Sequence, residues 1–314
     1  MSNAKIYFSV VIPLYNKEAT IERAIKSVLN QIVQDFEIIV VNDGSTDNGP
    51  DVVSKINDDR IRLIDQKNQG VSAARNKGIN VTKYDLIAFL DADDEWLSEF
   101  LETIRRMILN HPACALYATR YFLKAPSGNQ QPALVCALAN KFEGILENYF
   151  KIATNSNPPV WSSAVCVRKN VLLSIGGFPI GIAAGEDLLT WAKIAVNYKI
   201  SYSMKCLAVF YLEDITNYGF KKPRTDFNDN RVGIALEKLV KDNEKSNPCI
   251  RRYCAFWYRM RAATYVAWGD HLAARHYAFK GLRCYPDIKL AAYLMATYLP
   301  QSFVRYLQKS LRKQ

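Results

Sequence analysis

The chain contains no Cys-x-x-Cys spacing and no cysteine–histidine pair. Its seven cysteines, at 114, 136, 166, 206, 249, 254 and 284, are odd in number and scattered. This argues against a disulfide framework or a structural zinc site and suits a reducing compartment. No run approaches the ~18 apolar residues that a membrane span needs. No secretory leader pattern stands at the start. No glycine-rich phosphate loop follows the first apolar segment, where the sequence reads PLYNKEAT. That counts against a nucleotidyltransferase. Only three histidines occur, at 111, 271 and 276, and their neighbourhoods suit helix ends or surfaces better than catalysis. Disorder is excluded as well, because 49% of the 314 residues are hydrophobic and 23% charged, enough for a sizeable core.

Charge is unevenly placed. The formal excess is +11. From Lys245 onward, thirteen Lys and Arg face only Asp270 and Asp287, while residues 1–244 hold 28 basic and 28 acidic residues. The basic balance therefore belongs to the last 70 residues and says nothing about the body of the chain.

Strand and helix patterns alternate through the first hundred residues. YFSVVIPLYN reads as a short buried strand stopped by Pro13, and Ile21, Ala24, Ile25, Val28 and Leu29 mark one apolar helix face. FEIIVVND, RIRLID and LIAFLD read as further strands, with helices over about 48–55 and at GVSAARNKGIN. A long amphipathic helix is predicted from Trp96, WLSEFLETIRRMILN. Such alternation with short connections predicts a parallel sheet with helices on both faces. The second half is less regular. CALYATRYFL, SSAVCVRKN and LAVFYL read as strands, a helical run lies near Phe142 to Ile152, and GEDLLTWAKIAVNY opens a helix. After a helix at Val232 to Val240 and a linker at NEKSNP, the tail reads as two or more helices. Within it, GDHLAARHYAFKGLRCYP is similar to half a tetratricopeptide repeat, but one copy cannot bury a continuous core. An ordinary helical hairpin is expected.

The densest chemistry is FLDADDEW, which sets Asp91, Asp93, Asp94 and Glu95 directly after a buried strand. Asp94 and Glu95 are accounted for as helix N-terminal acids if the helix starts near Trp96. Asp91 and Asp93 are not. Ligands of open parallel sheets collect beyond the carboxyl ends of the strands. Tyr15-Asn16, Asn42-Asp43 and Asp91 to Asp94 should therefore meet at one edge. Hard oxygen donors there suit Mn²⁺ or Mg²⁺ completed by a diphosphate. Alone, Asp43 reads first as turn chemistry, and Glu186-Asp187 first as acids favoured at a helix start.

Taken in order, SVVIPLYNKEATIERAIKSVLNQ, EIIVVNDGSTDN, NQGVSAARNKGI, IAFLDADD and GEDLLTWAKIA resemble the inverting nucleotide-sugar transferases of glycosyltransferase family 2. The resemblance covers about residues 6 to 215. It implies the GT-A fold, a Rossmann-like, mostly parallel α/β sheet with helices on both faces, followed here by a C-terminal helical subdomain. The catalytic domain would be 1–227, with a nucleotide-sugar part over about 5–95 and an acceptor part over 96–227. Residues 228–314 would be the basic helical region. Pro13 and Tyr15 would line the nucleoside site, and Asp43 would accept a hydrogen bond from the base. Arg75 would reach the nucleotide or steady the aspartates. Asp91 would face ribose or metal, Asp93 would ligate the metal, and Asp187 would be the general base. Trp161 and Glu186 fall on the acceptor side, and the glycines of Gly176-Gly177-Phe178 suit a turn or an acceptor contact. The histidine or basic group that family members often place after the last core strand has no clear counterpart; Lys221, Lys222 and Arg224 are the local candidates.

The implied activity is metal-dependent, inverting transfer of a hexosyl or N-acetylhexosaminyl unit from a nucleotide-diphosphate sugar, with UDP-sugar preferred, to a glycan or lipid-linked acceptor in bacterial surface polysaccharide synthesis. The other reading is an inactive sugar-nucleotide-binding or scaffold protein of the same fold, against which the intact Asp91, Asp93 and Asp187 speak. For the basic, aromatic tail, three readings stand: a solvated helical subdomain, attachment to an anionic membrane surface, or nucleic-acid binding. No nucleic-acid motif accompanies the charge. The expected place is the cytoplasm, peripheral to the inner face of the cytoplasmic membrane.

Overall fold

In the computed structural model of the chain, residues 5–212 and 229–299 are described. The chain divides into two compact units, residues 1–213 and 214–314. The expected boundary at 227/228, and Lys221, Lys222 and Arg224, lie outside the described residues.

Four runs rich in β-branched and apolar residues build the first half of unit one. They are β1 (Phe8–Leu14), β2 (Phe36–Asn42), β3 (Ile61–Asp65) and β4 (Leu86–Phe89), with helices α1 (Ile21–Leu29), α2 (Gly49–Ser54) and α3 (Val71–Val81) between them. β1 pairs in parallel with both β2 and β4, and β2 with β3. The pleat sends alternate residues to opposite faces. Val10, Ile12, Ile38 and Val40 pack in one core with Ala24, Ile25 and Val28 of α1, whereas Ile39 and Val41 pack with Ala74 of α3 on the other side. β1 runs through Pro13 rather than stopping at it. Val11 accepts from Leu90 on the β4 side, while Leu14 accepts from Asp43 on the β2 side. Pro13 therefore turns its missing N–H toward β4, whose pairing ends at Val11. α3 lies very close over β1: a Cβ on Gly78 would stand 2.3 Å from Val11 Cγ1.

Beyond β4 come β5 (Glu95–Trp96), α4 (Phe100–Asn110), β6 (Leu116–Lys124), β7 (Gln130–Pro132) and β8 (Glu143–Ile145). They are followed by α5 (Tyr149–Asn155), β9 (Val165–Arg168), α6 (Lys169–Ser174), α7 (Glu186–Asn197) and β10 (Ile200–Tyr211). Among the described residues the sheet runs β3-β2-β1-β4-β9-β6-β10-β5, with β7 on β6 and β8 on β10. Parallel pairing stops at β4. β9 is antiparallel to both β4 and β6, and only β6 with β10 resumes the parallel sense.

The expected helix from Trp96 is shorter than its pattern. Trp96 and Glu95 instead form a two-residue strand antiparallel to Ala208 and Val209 of β10. Leu97 continues this pairing with Leu207, and α4 starts at Phe100. Trp96 carries the helical period of Phe100, Leu101 and Ile104, but its backbone and its indole, bonded to the Ser163 carbonyl at 2.6 Å, are claimed by distant chain. Likewise the run near Phe142 to Ile152 is a strand, then a helix beginning at Tyr149.

Unit two contains α8 (Arg231–Asn243), α9 (Cys249–Trp268), α10 (His271–Cys284) and α11 (Ile288–Ala296). The hairpin of α9 and α10 turns at Gly269 with φ 96°, and the Asp270 side chain caps α10 by accepting from Ala273 N. The tail's aromatics supply much of its core. Tyr253, Trp257, Tyr258, Tyr265 and Tyr277 are buried, and Tyr277 stacks on both Tyr258 and Tyr265. None of the seven cysteines is joined in a disulfide. Among the described residues no helix is long and apolar enough to cross a membrane.

Candidate active site

Because β2, β1 and β4 are adjacent and parallel, their carboxyl ends open on one edge of the sheet, and the antiparallel β9 brings its amino end to the same edge. Loops from these ends are tied together. Asn16, in the left-handed region with φ 51°, accepts from Thr46 N at 2.8 Å and donates its backbone N–H to Ser45 Oγ. Glu18 holds Asn48 from the next loop. Tyr15, 47% exposed, stands on this edge directly after β1.

Asp43, one residue beyond β2, is buried. Its carboxylate accepts from Gln66 Nε2 (2.7 Å), Gln69 N (2.9 Å) and Gly70 N (2.8 Å). It thus anchors the chain entering α3. A carboxylate offers about four acceptor directions, so one remains for a ligand.

Arg75, on the second turn of α3, is 3% exposed. Its guanidinium donates to Asp91 Oδ1 at 2.7 Å and to Glu186 Oε1 at 3.3 Å, and lies over the Phe178 ring. Burial weakens its hold on the proton, but Asp91, Glu186 and Asp187 more than offset this and keep it charged. This one side chain joins residues 16 and 111 positions away in sequence.

Beyond β4 the chain turns, with Asp94 N bonded to Asp91 O. Asp93 Oδ2 accepts from Lys17 Nζ at 2.6 Å, and Arg23 donates to the Asp93 carbonyl while its guanidinium stacks 3.7 Å from the Tyr211 ring centroid. Asp94 is not a helix cap, since α4 begins six residues later. It is 1% exposed, accepts from Ser163 Oγ and from Trp161 Nε1, and leaves Oδ1 without a partner among the described residues. Burial, then the nearby Asp91, push its carboxyl up to about 8. The acidic run is thus partly compensated: Arg75 answers Asp91 as well as Glu186, Lys17 answers Asp93, the Tyr211 hydroxyl donates to Glu95, and burial favours the protonated form of Asp94.

Asp187 lies in the first turn of α7, which starts after Gly185 in the left-handed conformation. Burial and the adjacent Glu186 raise its carboxyl to about 7, against the pull of Arg75. No side-chain capping bond is made at the Gly185 N-cap. The helix-start reading accounts for where the two acids sit; the bond to Arg75 fixes where Glu186 points, while Asp187 Oδ1 accepts from Leu188 N at 2.7 Å. Trp161 packs between Tyr121 and Phe210, with ring centroids at 5.6 and 4.4 Å, and fixes Asp94 through its indole. The glycine pair serves a turn: Gly176 and Gly177 have φ of 80° and 69°. Asn76 locks the following Phe178 through both backbone groups at 2.8 Å, and that ring is buried against Phe89 and Trp191.

Sequence reasoning missed Lys17, Arg23, Asn76 and Ser163. Lys17, Arg23 and Asn76 stood inside motifs already singled out; only spatial proximity shows what they hold. Among the described residues no group of three or more His, Cys, Asp or Glu is arranged to hold a metal ion. Asp91 and Asp93 each keep one carboxylate oxygen with no protein partner among the described residues, on side chains 23% and 39% exposed. Two open carboxylates fit a hard divalent cation that fills its shell from phosphate. A cavity of about 390 Å³ lies beside α1 and β5, lined by Glu22, Arg23, Glu95 and Trp96, and not over Asp91 or Asp187.

The edge-of-sheet acids and the arginine joining them stand on a mixed α/β sheet, and comparison with known proteins places such a chain among the glycosyltransferases. Residues 9–164 match the family model for Glycosyl transferase family 2. The putative teichuronic acid biosynthesis glycosyltransferase TuaG of Bacillus subtilis is 36% identical over 216 residues, 68% of this chain and 81% of that protein. The chain belongs to glycosyltransferase family 2. Several other curated relatives are matched over less than a third of their own length. S. aureus TarS 1–349 solved with UDP-GlcNAc superimposes with TM-score 0.66 at 18% identity, over 97% of this chain and 92% of that one. The mannosyltransferase PcManGT of Pyrobaculum calidifontis, solved with GDP-Man and Mn²⁺, gives TM-score 0.59 at 18% identity, over 99% and 82%. These two establish the fold alone.

Proposed function

We propose that this protein is a metal-dependent, inverting glycosyltransferase that takes a UDP-sugar and builds a bacterial surface polysaccharide. One observation supports this above the rest: buried Arg75 gathers Asp91, from the end of β4, and Glu186, beside Asp187 at the start of α7, into one acidic rim. TuaG, by its name, and TarS, by its bound UDP-GlcNAc, agree with such a donor and product.

In this reading Tyr15, Pro13 and the remaining acceptor direction of Asp43 receive the nucleoside. Asp91 and Asp93 would hold Mn²⁺ or Mg²⁺, which as a Lewis acid supports the charge left on the departing diphosphate. Asp187 withdraws the proton from the acceptor hydroxyl as its oxygen bonds to the anomeric carbon and the bond to the diphosphate breaks. A single displacement of this kind inverts the anomeric configuration. A carboxyl near 7 suits a general base. A carboxylate of ordinary pKa would hold the proton too weakly, and one much higher would already be protonated. Trp161 and Glu186 border the acceptor side. Exposed Leu272, Phe279, Ile288 and Met295 in the basic unit two fit an anionic membrane surface carrying a lipid-linked acceptor.

Asp187→Asn is the test. The variant keeps UDP affinity within about threefold of wild type and loses transfer by about 10²-fold or more, as general-base removal does. Near-normal turnover would withdraw the base assignment.

A further inference from the structure

Lys17 is placed to do more than neutralise a loop. Its carbonyl accepts from Thr20 N and Ile21 N and so starts α1, while Asn16 and Glu18 on either side are tied to the loop after β2. The backbone is thereby held. The side chain is 38% exposed, and its ammonium sits 2.6 Å from Asp93 Oδ2, on the carboxylate that also faces solvent. The ammonium competes by charge with a divalent ion drawn to the same carboxylate.

We propose that Lys17 is an exchangeable counter-ion: it occupies Asp93 in the donor-free enzyme, gives the carboxylate up when a divalent cation arrives, and then turns its ammonium onto the diphosphate that comes with the cation. The physical grounds are the fixed backbone, the flexible four-carbon stem and the partial exposure. Asp91 cannot exchange in the same way. Its partner Arg75 is 3% exposed and holds Glu186 as well, so it stays while Lys17 moves. The arrangement makes metal binding weak until nucleotide supplies the second partner for the lysine. This inference rests on the metal-dependent reading above and adds an order of events to it.

Titration calorimetry and Mn²⁺ paramagnetic resonance, with and without UDP, test it on wild type, Lys17→Met and Lys17→Arg. Melting curves establish that each variant is folded. Without nucleotide, K17M binds Mn²⁺ about two- to fivefold more tightly than wild type, the scale of a half-exposed ion pair removed as competitor. K17R, which keeps the charge, stays near wild type. At saturating Mn²⁺, K17M binds UDP about tenfold more weakly, the loss of one charge-assisted contact. Unchanged or weaker Mn²⁺ binding by nucleotide-free K17M overturns the exchange while leaving the metal reading intact. If none of the three proteins binds Mn²⁺ even with UDP present, the exchange and the metal-dependent reading fall together.

Discussion

Replacing Arg75 by methionine keeps the length and packing of its stem and deletes the charge. In the native protein that charge answers Asp91 at 2.7 Å and Glu186 at 3.3 Å from a position 3% exposed. Removing one member of a buried ionic cluster costs about 3–5 kcal/mol, because the remaining charges stay desolvated. Asp91 and Glu186 retain 23% and 13% side-chain exposure, so the lower end, about 3 kcal/mol, applies. For a unit of roughly 200 residues this lowers the melting temperature by about 6–12 °C. A second, independent consequence concerns Asp187. Arg75 holds its carboxyl down against burial and Glu186; without the arginine the carboxyl rises above its present value of about 7. Activity, which should climb with pH as Asp187 loses its proton, then climbs at higher pH in Arg75→Met than in wild type. Lysine at this position keeps a charge but cannot fork to both acids, and should fall between. Differential scanning calorimetry and a pH–rate profile read both effects. A variant that melts with wild type and shows an unshifted profile refutes the claim that Arg75 organises the rim.

The other predictions are simpler. Asp94, raised to about 8 when folded and near 3.9 when unfolded, must take up a proton on folding between those values; its contribution is therefore lost as pH rises, by up to about 1.4 kcal/mol per pH unit. Asp94→Asn should flatten the fall of stability between about pH 5 and 8, and parallel wild-type and variant curves from urea unfolding would contradict this. Gly78→Ala puts a methyl 2.3 Å from Val11 Cγ1 and should destabilise by about 1–3 kcal/mol; unchanged stability in the same assay would show that α3 can back away from β1. Sedimentation with vesicles should show the protein bound to anionic and not to neutral lipid, the binding falling as salt rises. Equal binding to both, or none to either, defeats membrane docking.

Much of the site could be located before any coordinates. Runs of apolar residues ending in Asn42-Asp43 and in Asp91 to Asp94 are strands that stop at acids, because period and composition report local conformation directly. The order of the five motifs pointed to Asp187 as well. What a pattern cannot report is which backbone a segment pairs with. Trp96 repeats the spacing of α4, yet β10, more than a hundred residues later, claims it as a strand. That pairing moves the helix start to Phe100, and so Asp94 falls under Trp161 and Ser163 as a buried acid instead of capping a helix in water.

Sequence by itself determined the alternating strands and helices, the acids at the strand ends, and the concentration of positive charge in the last 70 residues, since each depends on neighbours along the chain. Tertiary structure alone decided which cation serves which acid: Arg75 for Asp91 and Glu186, Lys17 for Asp93, and for Asp94 a burial that favours its protonated form. The reason is physical. Charge compensation and desolvation act through a few ångströms of space, and those ångströms are set by strand order and not by spacing in the chain.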